Sequence, residues 1–321
     1  MYYNREISPE LEDLLITGEL KWLVRYIREH DDLDLLIGRN KSKEFCSVYR
    51  GTSRFLSIER SSFKKAVFKV TASNTYKKLC PELFSDSLSD ITPERLEKLR
   101  NIVSNDSHFD RYYNNKKEGY YQNYYSRKYG LLSSELSEFV VVDKESVVGY
   151  EDENEKNKQF APIQRLYLDV REKLCASAPE LYGKHFANKK DGTEKEKSLG
   201  SELDLLALDK NGNILLIELK DGGNTNGIYL SPFQIGVYYD AFSQFSFDEL
   251  FNTVIRMAKQ KQRLNLISPD WKIPQQPGKM VAELVIGGKC SKAALDRFES
   301  VKEFIKKDNE KLLKDICVKH V

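Results

Sequence analysis

Two apolar runs joined by a short turn constrain the middle of this 321-residue chain more than any other feature. Leu203–Leu208 and Ile214–Leu219 each have the length of a strand, and Asp209-Lys210-Asn211-Gly212 between them is a turn sequence. The segment predicts a β-hairpin. Neither run alternates apolar with polar residues, so both strands are expected to be central and covered on both faces. Three charged residues interrupt this background: Asp204, Glu218 and Lys220. A charge is seldom kept in a buried strand unless it is paired, bound to metal or used chemically. Side chains two apart on a strand share a face, so Glu218 and Lys220 project together, and the hairpin carries Asp204 to the neighbouring strand. Glu202 has the parity of Asp204 and reads either as a further acid or as an exposed strand start. Two carboxylates with the backbone carbonyl of Leu219 make an all-oxygen set suited to Mg²⁺, which keeps several waters; Mn²⁺ is an acceptable substitute. Lys220 would hold or activate a water beside such a metal.

The order aspartate, hairpin, Glu-x-Lys resembles the PD-(D/E)XK (restriction-endonuclease-like) nuclease superfamily, here Asp204, Glu218 and Lys220. Gly200 stands four residues before the aspartate, as in RecB-like members. Ser231-Pro232-Phe233-Gln234 then predicts a helix start, with Ser231 as N-cap and Pro232 at the first helical position. Gln234 and Tyr238 lie four apart on one face and match the Gln-x-x-x-Tyr motif of the RecB-like pattern. The resemblance covers only Gly200–Tyr238. It implies metal-dependent hydrolysis of phosphodiester bonds, with DNA the expected substrate and a repair, restriction or defence setting. Asp204 and Glu218 would hold the metal, Lys220 would serve the attacking water, and Gln234 and Tyr238 would position substrate or brace the site. Many members carry an acid on the first helix; Glu172 falls opposite the apolar stripe of the helix expected near Pro162 and is left out. Two rival readings stand beside this one. One is a catalytically inactive nucleic-acid-binding or assembly module that retains the fold; the other is a metal-dependent hydrolase acting on nucleotides.

The rest of the chain frames that segment. Its fold class reads as α/β: a C-terminal restriction-endonuclease-like domain over 151–321, with a central mixed sheet flanked by helices, after an N-terminal α+β region over 1–150. Ser8-Pro9-Glu10 opens a helix, and Leu35–Ile37, Phe45–Tyr49, Phe55–Ile58 and Ala66–Val70 are short β-rich runs between turns, an antiparallel meander. Arg50, Arg54, Arg60, Lys64 and Lys65 between them line either a phosphate-facing surface or solvated strand edges. Phe139–Val142 and Ser146–Val148 are expected to close the first half as a strand pair, and the charged stretch Glu151–Lys158 to separate the domains. Lys184–Ser198, rich in lysine, reads as a loop, and Arg256, Lys259, Lys261 and Arg263 as a basic helical face. Val281–Ile286 is expected to close the sheet, and Ala293–Cys317 to be mostly helix.

The stretch Arg111–Tyr129 holds seven tyrosines, five basic residues and one acid, Glu118. It fits stacking of unpaired bases and wedging of a helix against its neighbours equally well. Lys and Arg number 51 against 49 Asp and Glu, so bulk charge draws no nucleic acid and any basic surface must be local. The five cysteines are widely spaced, which indicates neither a zinc ribbon nor a disulfide scaffold. No apolar signal segment opens the chain and no run approaches membrane-spanning length, so the expectation is a cytoplasmic protein without membrane contact, a homodimer being left open.

Overall fold

The computed structural model describes residues 1–61, 68–72, 74–83, 88–105, 113, 115–182, 199–309, 312 and 315–321. Two sheets organise them. The first is an antiparallel meander in chain order: β1 (Asp34–Arg39), β2 (Lys43–Arg50), β3 (Ser53–Ser61) and β4 (Lys69–Thr71). Four helices, α1 (Pro9–Ile16), α2 (Leu23–Glu29), α3 (Asn74–Leu79) and α4 (Pro93–Asn105), share a core with it that includes Leu11, Ile27, Val48, Phe55 and Leu99. As Ser8-Pro9 dictates, the Ser8 hydroxyl accepts the Leu11 N–H and Pro9 takes the first helical turn.

The second sheet is mixed and runs β5 (Phe139–Ser146), β6 (Leu203–Asp209), β7 (Ile214–Asp221), β8 (Met280–Gly287), β9 (Ile316–His320). Its first three strands are antiparallel, and β7, β8 and β9 are parallel. The expected hairpin is β6–β7, with the Asp209 carboxylate accepting the N–H groups of Asn211 and Asn213 across the turn. Both faces are covered. Leu206, Leu208, Leu216 and Leu284 pack beneath α6 (Glu153–Ser177), α8 (Thr225–Phe242) and α10 (Lys292–Asp308), and the short α7 (Pro179–Tyr182) extends that layer. Leu205, Ala207, Ile217 and Val285 pack beneath α5 (Glu118–Tyr129) through Tyr125. This double burial explains why β6 and β7 read as continuous apolar runs.

Several expectations are corrected. Residues 139–146 form one strand, β5, and it pairs with β6 rather than with a partner in the first half. The five-stranded sheet thus draws its edge strand from before residue 151. Glu151–Lys158 runs into α6, whose first turns carry Glu153 and Glu155 and whose cap Asp152 accepts the Glu155 N–H; acids are favoured at a helix start by its dipole. Helix α8 begins at Thr225, capped by Asn224, so Ser231 and Pro232 lie inside it. Pro232 has no N–H for the Ile228 carbonyl, and the Ser231 hydroxyl donates to that oxygen instead at 2.7 Å. β8 does not close the sheet: the helix after it stops at Asp308 and the chain returns as β9.

The basic face expected at Arg256–Arg263 lies on α9 (Phe247–Arg263) and is largely engaged within the protein. Arg256 pairs with Glu6, Arg263 pairs with Glu12, and Lys261 is buried. In the meander Arg50 pairs with Asp32 and Arg60 with Glu44, both buried; Lys64, Lys65 and 183–198 lie outside the described residues. No described helix is long and apolar enough to cross a membrane.

Candidate active site

Asp204, Glu218 and Lys220 meet where β6 and β7 leave their ladder. The last paired residues are Leu205 and Ile217, so one step further Asp204 stands opposite Glu218. There Asp204 Oδ2 accepts the Leu219 N–H at 2.7 Å, and Lys220 Nζ donates to Glu218 Oε1 at 2.5 Å. The Leu219 carbonyl leaves the strand on the same side as its N–H, as in any extended residue. Glu218 and Lys220 are 2% and 6% exposed, so the pair is held in place by the sheet rather than floating at its rim.

Two further side chains come from α5 and were not picked out in the sequence. Glu118 Oε1 lies 3.6 Å from Lys220 Nζ, and Gln122 Nε2 lies 3.4 Å from Asp204 Oδ1. They are four apart and therefore share a helical face. The available signal was that Glu118 is the lone acid of the tyrosine-rich stretch. Glu172, the acid weighed on the helix near Pro162, is exposed on α6.

Three carboxyls thus surround one ammonium. Burial pushes the Glu218 carboxyl above its usual range, and the charge of Asp204 pushes it further. Burial also raises Asp204 and Glu118, against the pull of Lys220. For Lys220 burial acts downward, but Glu218, Asp204 and Glu118 outweigh it and hold the ammonium above its ordinary value. Glu218 Oε2 and Gln122 Oε1 are buried acceptors with no hydrogen-bond partner. Unmet acceptors and surplus negative charge are what an oxygen-seeking cation relieves. Among the described residues no three His, Cys, Asp or Glu side chains are grouped to hold a metal ion. The residues that could contribute oxygens to a cation here are Asp204, Glu218 and the Leu219 carbonyl, with water for the remainder, as Mg²⁺ tolerates.

Gln234 and Tyr238 project from α8 toward the loop that enters β6. A Cβ on Gly200 would stand 2.7 Å from the Tyr238 hydroxyl and 3.7 Å from Gln234 Nε2, and Gly200 itself has φ +89°. The glycine is thus needed both for the backbone turn and for this close approach. Gln164 of α6 donates to the Gly200 carbonyl at 2.7 Å. Tyr238 is buried, its hydroxyl raised above its ordinary pKa by that burial and by the charges of Glu218 and Asp204. Two cavities of about 380 and 330 Å³ flank Ser201 and Glu202, the residues that lead into Asp204, and both reach Val147. Tyr238 lines the first, and Arg39 and Arg54 line the second. Set against known protein families, curated proteins and solved structures, the chain matches none.

Proposed function

We propose that the protein is a metal-dependent nuclease of the PD-(D/E)XK type, hydrolysing phosphodiester bonds, with DNA the favoured substrate. The observation that carries this reading is the convergence of Asp204, Glu218 and Lys220 at one end of the β6–β7 hairpin, with a buried carboxylate oxygen left unpartnered. A Mg²⁺ or Mn²⁺ bound there would polarise the phosphate and lower the pKa of a bound water. Asp204, Glu218 and the Leu219 carbonyl would hold it. Lys220, kept charged by the acids around it, is placed to orient the attacking water or to offset charge that develops on the phosphate. Gln234 and Tyr238 brace the Gly200 turn and so the position of Asp204. The cavity beside Glu202 carries Arg39 and Arg54, which would meet the phosphates of a strand led toward Asp204.

The test is incubation with single-stranded, duplex and structured DNA and RNA, in Mg²⁺, Mn²⁺ or EDTA. Cleavage should require the metal and stop in EDTA. Lys220→Ala should slow it by about a hundredfold or more, the scale of removing one preorganised stabilising group. Strand affinity should change little, since one lysine is a small part of a multi-phosphate footprint. A wild type that cuts nothing under any metal, or a Lys220→Ala protein that cuts normally, ends this reading in favour of a non-catalytic module.

A further inference from the structure

Packing takes up only part of the tyrosine-rich stretch. Tyr125 and Tyr129 lie against Phe139, with ring centroids 5.9 and 4.0 Å apart, and Tyr121 covers the end of β8, where a Cβ on Gly287 would strike its ring. Tyr113, under the Arg50 guanidinium at 4.4 Å, Tyr120, edge-on to Tyr121, and Tyr124 leave ring surface over. Together with Asn123, Lys128, Leu132 and one acid, Asp31, they line a cavity of about 490 Å³ on the outer side of α5. Tyr124 is 45% exposed and Leu132 56% exposed, so large apolar surface is left in water there. The Tyr113 and Tyr120 rings form one wall, 5.6 Å apart. Lys116 Nζ stands 5.7 Å from the Tyr120 ring and Lys128 Nζ 5.9 Å from the Tyr124 ring. Among the described residues neither lysine is paired with an acid, whereas Lys117 is matched to Asp221 and Arg127 is taken up by the carbonyls of Ile27, Arg28 and Leu33. Asn123, 1% exposed, donates to the Asp31 carbonyl at 2.9 Å, and its Oδ1 has no partner.

These features belong together chemically. Aromatic faces suit any base, and ammonium groups beside them suit the flanking phosphates. The cavity is also within reach of the candidate active site. Glu118 and Gln122 of α5 touch Lys220 and Asp204, and Tyr120 and Tyr124 each follow by two residues, about 200° around the helix. A strand passing from one to the other has only the width of a helix to cross, about 10–12 Å.

We propose that this cavity stacks an unpaired base of the nucleic-acid strand, with Lys116 and Lys128 on its neighbouring phosphates, so that the protein prefers single-stranded or frayed substrate. The proposal deepens the nuclease reading and rests on it for the identity of the strand. Bases inside a duplex are already stacked on each other and cannot enter.

Affinity for a short fluorescein-labelled single-stranded DNA is measured by anisotropy in EDTA, so that cleavage does not enter. Tyr124→Leu should weaken binding by about five- to a hundredfold, and Tyr124→Trp should retain it. The position is half open to solvent, so both variants should melt like the wild type. Duplex of the same sequence should bind both variants and the wild type alike. Equal single-strand affinity in wild type and Tyr124→Leu, equal loss in both variants, or no wild-type binding overturns the proposal. A protein that shows this ring dependence yet cuts nothing supports the cavity and removes the nuclease reading. One that cuts in Mg²⁺ but ignores the residue at 124 does the reverse.

Discussion

Gly200 shows how one residue can set a site it does not join. Its φ of +89° is open to glycine, and the Tyr238 hydroxyl occupies the space where a Cβ would go. Gly200→Ala should therefore cost about 1–3 kcal/mol through backbone strain and lower cleavage by displacing the turn before Asp204. Chemical denaturation measures the first effect and single-turnover cleavage the second. In a Tyr238→Phe background the Cβ meets no hydroxyl while the backbone strain remains, so the stability cost should shrink without vanishing. Equal costs in the two backgrounds would show that the contact with Tyr238 contributes nothing.

Helix α8 carries an internal proline, and its local chemistry is self-correcting. Pro232 cannot bond to the Ile228 carbonyl, and the fully buried Ser231 hydroxyl supplies the missing donor. Ser231→Ala should cost about 1–3 kcal/mol, because a buried carbonyl loses its partner. With Pro232→Ala also present, a backbone N–H can return to that carbonyl and the penalty should fall. Urea midpoints of the two single variants and the double variant measure the coupling; additive costs would rule out the exchange of donors. The same element shows a limit of local reading. Ser-Pro is a common helix start and by itself predicts a cap at Ser231. The helix begins earlier, at Thr225 after the Asn224 cap, because its first turns bury Ile228 and Tyr229. Gln234 and Tyr238 share a face under either start, since their spacing is unchanged.

At the scale of the whole molecule the two sheets meet through polar contacts and through α5. Lys144 of β5 reaches Asp34 of β1 at 3.3 Å, and Ser126 of α5 donates to the same carboxylate at 2.7 Å. A chain beginning at residue 151 would lack both β5 and α5, exposing Leu205, Ala207, Ile217 and Val285 to water. It should fail to give a soluble monomer with a cooperative melt, as size exclusion and circular dichroism would record. Alkaline pH should also open the fold. Burial raises the Tyr3, Tyr49 and Tyr125 hydroxyls above the ordinary 10.0, helped by Asp143, Glu145 and Glu283 respectively. The unfolded chain ionises these phenols near pH 10 while the folded chain keeps them neutral. Their contribution is full below that pH and is lost as pH climbs past it, so Tm should hold to about pH 9 and then fall as tyrosinate absorbance appears on melting. What the sequence by itself determined here was local. The β6–β7 hairpin, the meander and the shared face of Glu218 and Lys220 follow from turn chemistry and strand parity, which act between near neighbours. Only the tertiary structure decided that β5 joins β6, that β9 extends the sheet, and that Glu118 and Gln122 stand over Lys220 and Asp204. Those pairings link residues some thirty to a hundred positions apart, and no periodicity in the chain records which distant ladder or face will complete a buried surface.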